Sequence, residues 1–250
     1  MEHAQAAQPG GNRMKQRTKL WMAAMGALAL VAAGAAPSAA VVFSPFGFAI
    51  TSDAQLPMFR TGVVGLRLSL FGAANEFMYG LSLAAAMNGK SAGSGDDDVA
   101  GIQLAGLLND AEGAEFGVFQ LAGLANRIRG GGGTVVQLAG FYNQVDGPAN
   151  GLQLAGVANR AEGDFGGVQL AGVCNVAEKD FRGVQLAAIN RVAGTLYGIQ
   201  LGAFNYAKTV RGLQIGAFNG AGNDMGGLSL AVFNINTETQ ALWPLLRVGF

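Results

Sequence analysis

The sequence predicts an all-β fold, a repeat array of about 11–12 strands preceded by a signal-peptide helix. The expected form is an antiparallel outer-membrane β-barrel, with a parallel β-solenoid as the alternative. Three observations carry this. A short apolar motif recurs along most of the chain. Gly supplies 40 of the 250 residues, and only 13% are charged, against about 7% Gly and about 25% charged residues in an ordinary soluble domain. Apart from Arg67, the charges also fall between the motifs and not inside them.

Residues 1–40 read as an N-terminal extension and a cleavable signal peptide. Arg13, Lys15, Arg17 and Lys19 precede an uncharged apolar run from Trp21 to Ala36, and Ser38-Ala39-Ala40 offers the small residues of a cleavage site. That run of 16 residues falls short of the roughly 20 a spanning helix needs. Residues 41–250 then form a single repeat domain. Beyond Ala40 the chain holds twelve basic and fifteen acidic residues, so no basic excess is present to neutralise phosphates, and nucleic acid is not an expected partner.

The motif is Gly-h-Gln-h-Ala/Gly followed by an Asn, with h aliphatic. It stands as GIQLAGLLN at 101–109, GLQLAGVAN at 151–159, GVQLAGVCN at 167–175 and GLQIGAFN at 212–219. Its third position sets a register of eleven units: Arg67, Ser82, Gln103, Gln120, Gln137, Gln153, Gln169, Gln185, Gln200, Gln214 and Ser229. The companion asparagines are Asn109, Asn126, Asn143, Asn159, Asn175, Asn190, Asn205 and Asn219. From Gln103 onward the spacing is 17 residues at first and 14–16 later. Each motif is short, rich in Val, Ile, Leu and Phe, and bounded by turn residues, which is the pattern of a strand. Two or three Gly per unit, each costing about 1 kcal/mol in a helix, exclude the helical reading. Segments such as Ala161-Glu162-Gly163-Asp164 and Ala177-Glu178-Lys179-Asp180 are the expected turns.

A unit of this length fits one strand of about 11 residues and a turn, which at a tilt of about 45° crosses a bilayer. Arg67 is the one charge inside the motifs, as a membrane would require. The ending LWPLLRVGF leaves the repeat with Leu246, Val248 and Phe250 on one face. It resembles the C-terminal strand of outer-membrane proteins, in which a final aromatic is the assembly signal; by that likeness Phe250 would be read by the barrel-assembly machinery. In this arrangement Val168 and Leu170 face lipid, and Gln169 and Ala171 face the lumen. The solenoid alternative draws on the likeness of consecutive units and on a parity change. Gln-to-Asn spacing is six through Gln169/Asn175 and five from Gln185/Asn190 onward, which flips the Asn side within a continuous strand.

The segment GLRLSLFGAANEFMYGLSLAAAMN (65–88), the GLQIGAFN-type units and the Pro-containing, Phe-ended close together resemble a family of bacterial exported, surface repeat-containing proteins of leptospiral type. The resemblance covers about residues 62–250 and departs from the family pattern at Ser82 and Ser229, where the family has Gln. It implies a location in the outer membrane or at the cell surface of a Gram-negative bacterium, and it carries no enzymatic activity or catalytic residues.

The residues themselves also point away from catalysis. The one His is His3, and the one Cys, Cys174, sits at an apolar position, so no triad, metal cluster or disulfide framework is available. No cofactor motif occurs. Arg127 and Arg129 flank Gly130–Gly133 but lack the strand–loop–helix context of a phosphate loop. Asp96-Asp97-Asp98 lacks the alternating Ca²⁺-loop pattern. The Gln and Asn series are expected to be structural hydrogen-bond ladders. The function that follows is an envelope β-repeat protein with a structural or narrow-pore role and no catalysis. The alternative is an exported solenoid acting as a surface binding or adhesion module, its ligand unspecified.

Overall fold

A Gln at the inward register position of eight of the eleven units brings two N–H donors and a carbonyl into the interior, and each must find a partner there. The computed structural model of the chain meets that demand by parallel stacking. It describes residues 43–51, 54–56, 62–73, 77–89, 98–113, 117–130 and 133–249. The segment read as a signal peptide, within residues 1–42, and Phe250 lie outside the described residues. Phe43–Phe250 is one compact unit, and every regular element described in it is a strand.

One coil shows the rule. The strand Phe165–Ala171 carries Gln169, a two-residue bend follows at Gly172-Val173, and the strand Cys174–Ala177 carries Asn175. The next coil opens at Phe181. Phe165–Ala171 pairs in parallel with Ala149–Ala155 before it and Phe181–Leu186 after it, so that Gln153, Gln169 and Gln185 stand side by side. Cys174–Ala177 pairs in parallel with its counterparts in the same way, and Asn159, Asn175 and Asn190 align. Two columns of parallel strands result, and all eleven register positions from Arg67 to Ser229 are neighbours in one column.

The chain is therefore a β-solenoid. The antiparallel outer-membrane barrel is not what it forms. Two features decide this. The expected single long strand is broken by the Gly172-Val173 bend into strands of 7 and 4 residues. A unit thus completes a circuit instead of a crossing. The parity change also falls at that bend: Ala171-Gly172-Val173 in one coil is matched by Ala187-Ala188 in the next, while Leu170 still faces Leu186 and Cys174 still faces Ile189. A residue lost between two strands leaves both in register, whereas one lost inside a barrel strand would turn its side chains over. The facing pattern survives the change of architecture: Gln169 is buried, and Val168 and Leu170 point outward.

The Gln strands need a column of glycines for a steric reason. Gly183 has φ of +137°, and a Cβ there would sit 1.9 Å from the Gly167 carbonyl oxygen of the coil beneath. Beside the two amide columns the interior is apolar. Phe165 and Phe181 stack with centroids 5.9 Å apart, and with Met78, Ile128, Val192 and Leu196 they belong to one buried cluster.

The ends differ from the middle. At the N-terminal end the entry strand Phe43–Thr51 adds in parallel to Gly62–Ser69, placing Gly47 at the register position beside Arg67. At the other end the closing strand Leu242–Val248 runs antiparallel to Leu228–Asn236. Pro244 is tolerated there because an edge strand can leave its outer hydrogen bonds unmade. Leu245, with φ of 65°, turns the closing strand where the strand beneath it bends.

Deleting residues 167–182 joins Gly166 to Gly183 and removes one coil. Because each coil touches only its neighbours, the shortened chain is expected to keep the same far-UV circular dichroism and lose only a few degrees of Tm. Loss of cooperative unfolding would count against nearest-neighbour stacking.

Candidate functional site

Three surfaces are built by the repeat: the amide interior, a charged outer side and an aliphatic outer side. The interior comes first. Gln169 Nε2 donates to Gln153 Oε1 at 2.7 Å, and Gln169 Oε1 accepts from Gln185 Nε2 at 2.7 Å. The same bond links Gln103, Gln120, Gln137, Gln153, Gln169, Gln185, Gln200 and Gln214 in one chain. Several of these amides also donate across the interior, as Gln137 Nε2 does to the Gln144 carbonyl at 3.1 Å.

The asparagines sit where the backbone bends and a carbonyl loses its sheet partner. Asn175 Nδ2 donates to Asn190 Oδ1 at 3.0 Å, to the Gln169 carbonyl at 3.1 Å and to the Leu186 carbonyl at 3.0 Å. This satisfies corner carbonyls that would otherwise be buried alone. Asn109, Asn126, Asn143, Asn159, Asn175, Asn190, Asn205 and Asn219 form the second ladder. The two ladders have opposite polarity. Each Gln donates toward the N-terminal coils and each Asn toward the C-terminal ones, so two polarised chains of amide dipoles oppose each other. All sixteen side chains are buried, and a dissolved ligand does not reach them.

Ser82 and Ser229 mark the ladder ends. Arg67 Nε donates to Ser82 Oγ at 2.8 Å, and Ser82 Oγ donates to Asn88 Oδ1 at 2.7 Å. At the far end Asn219 Nδ2 donates to Ser229 Oγ at 2.8 Å, and Ser229 Oγ donates to Asn234 Oδ1. A short hydroxyl bonds sideways to the Asn column, where a Gln would call for another rung. The Asn234 Nδ2 group, buried, has no partner among the described residues. It is the donor that a further coil would have used.

The charged side was not legible from the motifs. Arg127 pairs with Asp146 at 2.8 Å, Arg129 with Asp110, and Arg160 and Arg191 both approach Glu178, at 3.2 and 3.3 Å. These ties run from coil to coil on the outer side of the Asn strands. The signal in the sequence is a charge separation of 13 to 19 residues, close to one coil length. Arg127 and Arg129 are thus held by aspartates and form no anion cradle. Of the acidic run, Asp96 and Asp97 lie outside the described residues, and Asp98 begins a strand. Trp243 lies on the closing strand opposite Asn234, with the Arg247 guanidinium 4.7 Å from its ring centre.

Burial lifts the Asp110 carboxyl above the usual carboxylate range, while Arg129 and Arg127 pull it back. A carboxyl whose folded pKa is raised takes up its proton more readily in the folded state. Its contribution to stability is therefore fully present below the unfolded value and is lost as pH rises through the folded one. A ¹³C titration of the Asp110 carboxyl is expected to show a midpoint above that of a free Asp. A midpoint below it would mean that the arginines outweigh burial.

The aliphatic side inverts the usual order of a soluble protein. The residues before and after each register position, such as Leu152 and Leu154 around Gln153, are all apolar from Leu66 to Leu230 and point outward. Ile102, Leu121, Leu154 and Leu186 are among the exposed large hydrophobics, as are Leu124, Phe141 and Val173 at the adjoining bend. Polar amides are inside and aliphatic side chains outside, along the whole length of one face.

These features define a class: a parallel β-solenoid with two buried amide ladders and an amphipathic exterior. No protein-family model matches the chain, and no curated protein or solved structure shows significant similarity to it.

Proposed function

We propose that the chain is an exported, cell-surface β-solenoid that acts as a binding module and has no catalytic role. Its binding surface is the aliphatic outer face of the Gln strands. The observation that carries this reading is the inversion itself. An unbroken row of exposed and half-buried Leu, Ile, Val and Phe larger than the few hundred Å² usual on a monomer marks an interaction site. The hydrogen-bonded ladders support it by holding the face rigid, which lowers the ordering cost of binding. The apolar run before Ala40 and the resemblance to exported surface-repeat proteins support the location.

The test is fractionation of the native host. Protease or a membrane-impermeant label applied to intact cells is expected to reach the protein, and carbonate washing is expected to release it from the envelope. Retention in the cytoplasm would overturn the export reading. Retention in carbonate-washed outer membrane, with a mobility shift on boiling, would instead restore an integral membrane form.

A further inference from the structure

We propose that the aliphatic face is where a second copy of the chain docks, giving a back-to-back twofold dimer. This rests on the reading of that face as a binding surface and names its partner.

The first argument is size. The two outward columns continue beyond the repeat at both ends. Phe46 and Phe48 on the entry strand lie beside Leu66 and Leu68, and Leu246 and Val248 on the closing strand lie beside Leu230 and Leu228. The face is thus thirteen layers deep: one from the entry strand, eleven from the repeat and one from the closing strand. At about 4.8 Å per layer it is about 58 Å long, and two side-chain columns make it about 12 Å wide. Each copy would cover roughly 700 Å², and a pair would bury about 1,400 Å², within the range of stable specific interfaces.

The second argument is self-complementarity. A twofold interface sets a surface against itself, so any charge on it meets a like charge or must find an offset partner. The flanking columns carry no charged or polar side chain in any layer from Leu66 to Leu230. The ion-paired side of the same solenoid does not meet this condition. The third argument is period. Sheets packed face to face interdigitate their side chains at a spacing of about 10 Å. A partner with the same axial repeat seats every layer, and a second copy has that repeat over its whole length. A lipid surface is also apolar, but fifteen acidic against twelve basic residues beyond Ala40 oppose approach to an anionic bilayer.

The experiment measures the mass of the purified full chain by light scattering at micromolar concentration, for the wild type and for Leu154→Glu/Leu186→Glu. These two side chains are 42% and 46% exposed, so the charges enter without disturbing the interior. The wild type is expected at twice the chain mass and the variant at the single-chain mass, with unchanged circular dichroism. A second variant avoids new charge. Leu154 lies in the middle layer, which meets the same layer of the other copy in either twofold arrangement. Cys174→Ala/Leu154→Cys is therefore expected to give a covalent dimer with a short bis-maleimide. A wild type at single-chain mass, or a Glu variant still at twice that mass, overturns the proposal. Flotation with phosphatidylcholine vesicles then separates the two readings. If a monomer floats and its Glu variant does not, the dimer is wrong and the binding face stands. If a monomer does not float, the dimer and the binding-face reading fall together.

Discussion

Gln169→Leu is expected to destabilise the solenoid by about 2–6 kcal/mol, because it leaves two buried amide groups without partners at about 1–3 kcal/mol each. Gln185 Nε2 loses its acceptor and Gln153 Oε1 loses its donor. Water does not repair the break, since both neighbours are buried. The added aliphatic volume does not offset it, because an amide left behind in an apolar setting carries its full desolvation cost. The damage should be local. Hydrogen exchange is expected to quicken first in the strands holding Gln153 and Gln185, while distant coils keep their protection. Lys208→Gln makes the contrast: a change at an exposed position near Asn205, away from the aliphatic face, is expected to change stability by no more than about 0.5 kcal/mol. Urea denaturation of the two variants side by side is the check. Equal effects would mean that the ladder is incidental.

Gly183→Ala is expected to cost about 4 kcal/mol or more, in the range reached only when backbone geometry or a packed interior is violated. Two penalties combine. Alanine rarely adopts a φ of +137°, and its Cβ would lie 1.9 Å from the Gly167 oxygen and 2.8 Å from the Gly167 carbonyl carbon. Those atoms are backbone and have no rotamer by which to yield. The coils must separate at that point of the strand, and the parallel pairing of Gly167 with Gly183 must loosen. Ala217→Gly, in the strand Phe204–Met225, serves as the control and should cost about 0.4–1 kcal/mol. A Gly183→Ala protein that melts with the wild type would refute the close contact between coils.

The division of each unit into two strands and the constant inward side of the asparagines were not legible beforehand, but the β character of the repeat, the register of the eleven units and the side taken by each Gln and its aliphatic neighbours were. Those properties follow from local alternation: Gln between two aliphatic residues puts the amide on one side and the aliphatics on the other in any sheet. The serines at positions 82 and 229 were visible as departures, but their role in closing the ladder ends was not. It depends on Asn88, which reaches Ser82 across a bend, and on Asn234, five residues beyond Ser229 in the same strand. The coil-to-coil ion pairs were hidden for a similar reason. Arg127 and Asp146 read as separate turn charges until the circuit length is known. The barrel reading failed at Gly172-Val173, which passes for strand interior in a linear pattern and is a corner in space.

By itself the sequence determined that this chain is a stack of near-identical β units with amides on one side and aliphatics on the other. Only the tertiary structure decided that successive units lie parallel, with the amides enclosed and the aliphatics outside. The physical reason is range. Facing is set by neighbours one or two residues apart, whereas the sense of stacking is set by bonds between side chains 14 to 17 residues apart, such as Gln214 to Gln200 and Gln120 to Gln103. Those bonds form only once each corner has turned the chain through a full circuit.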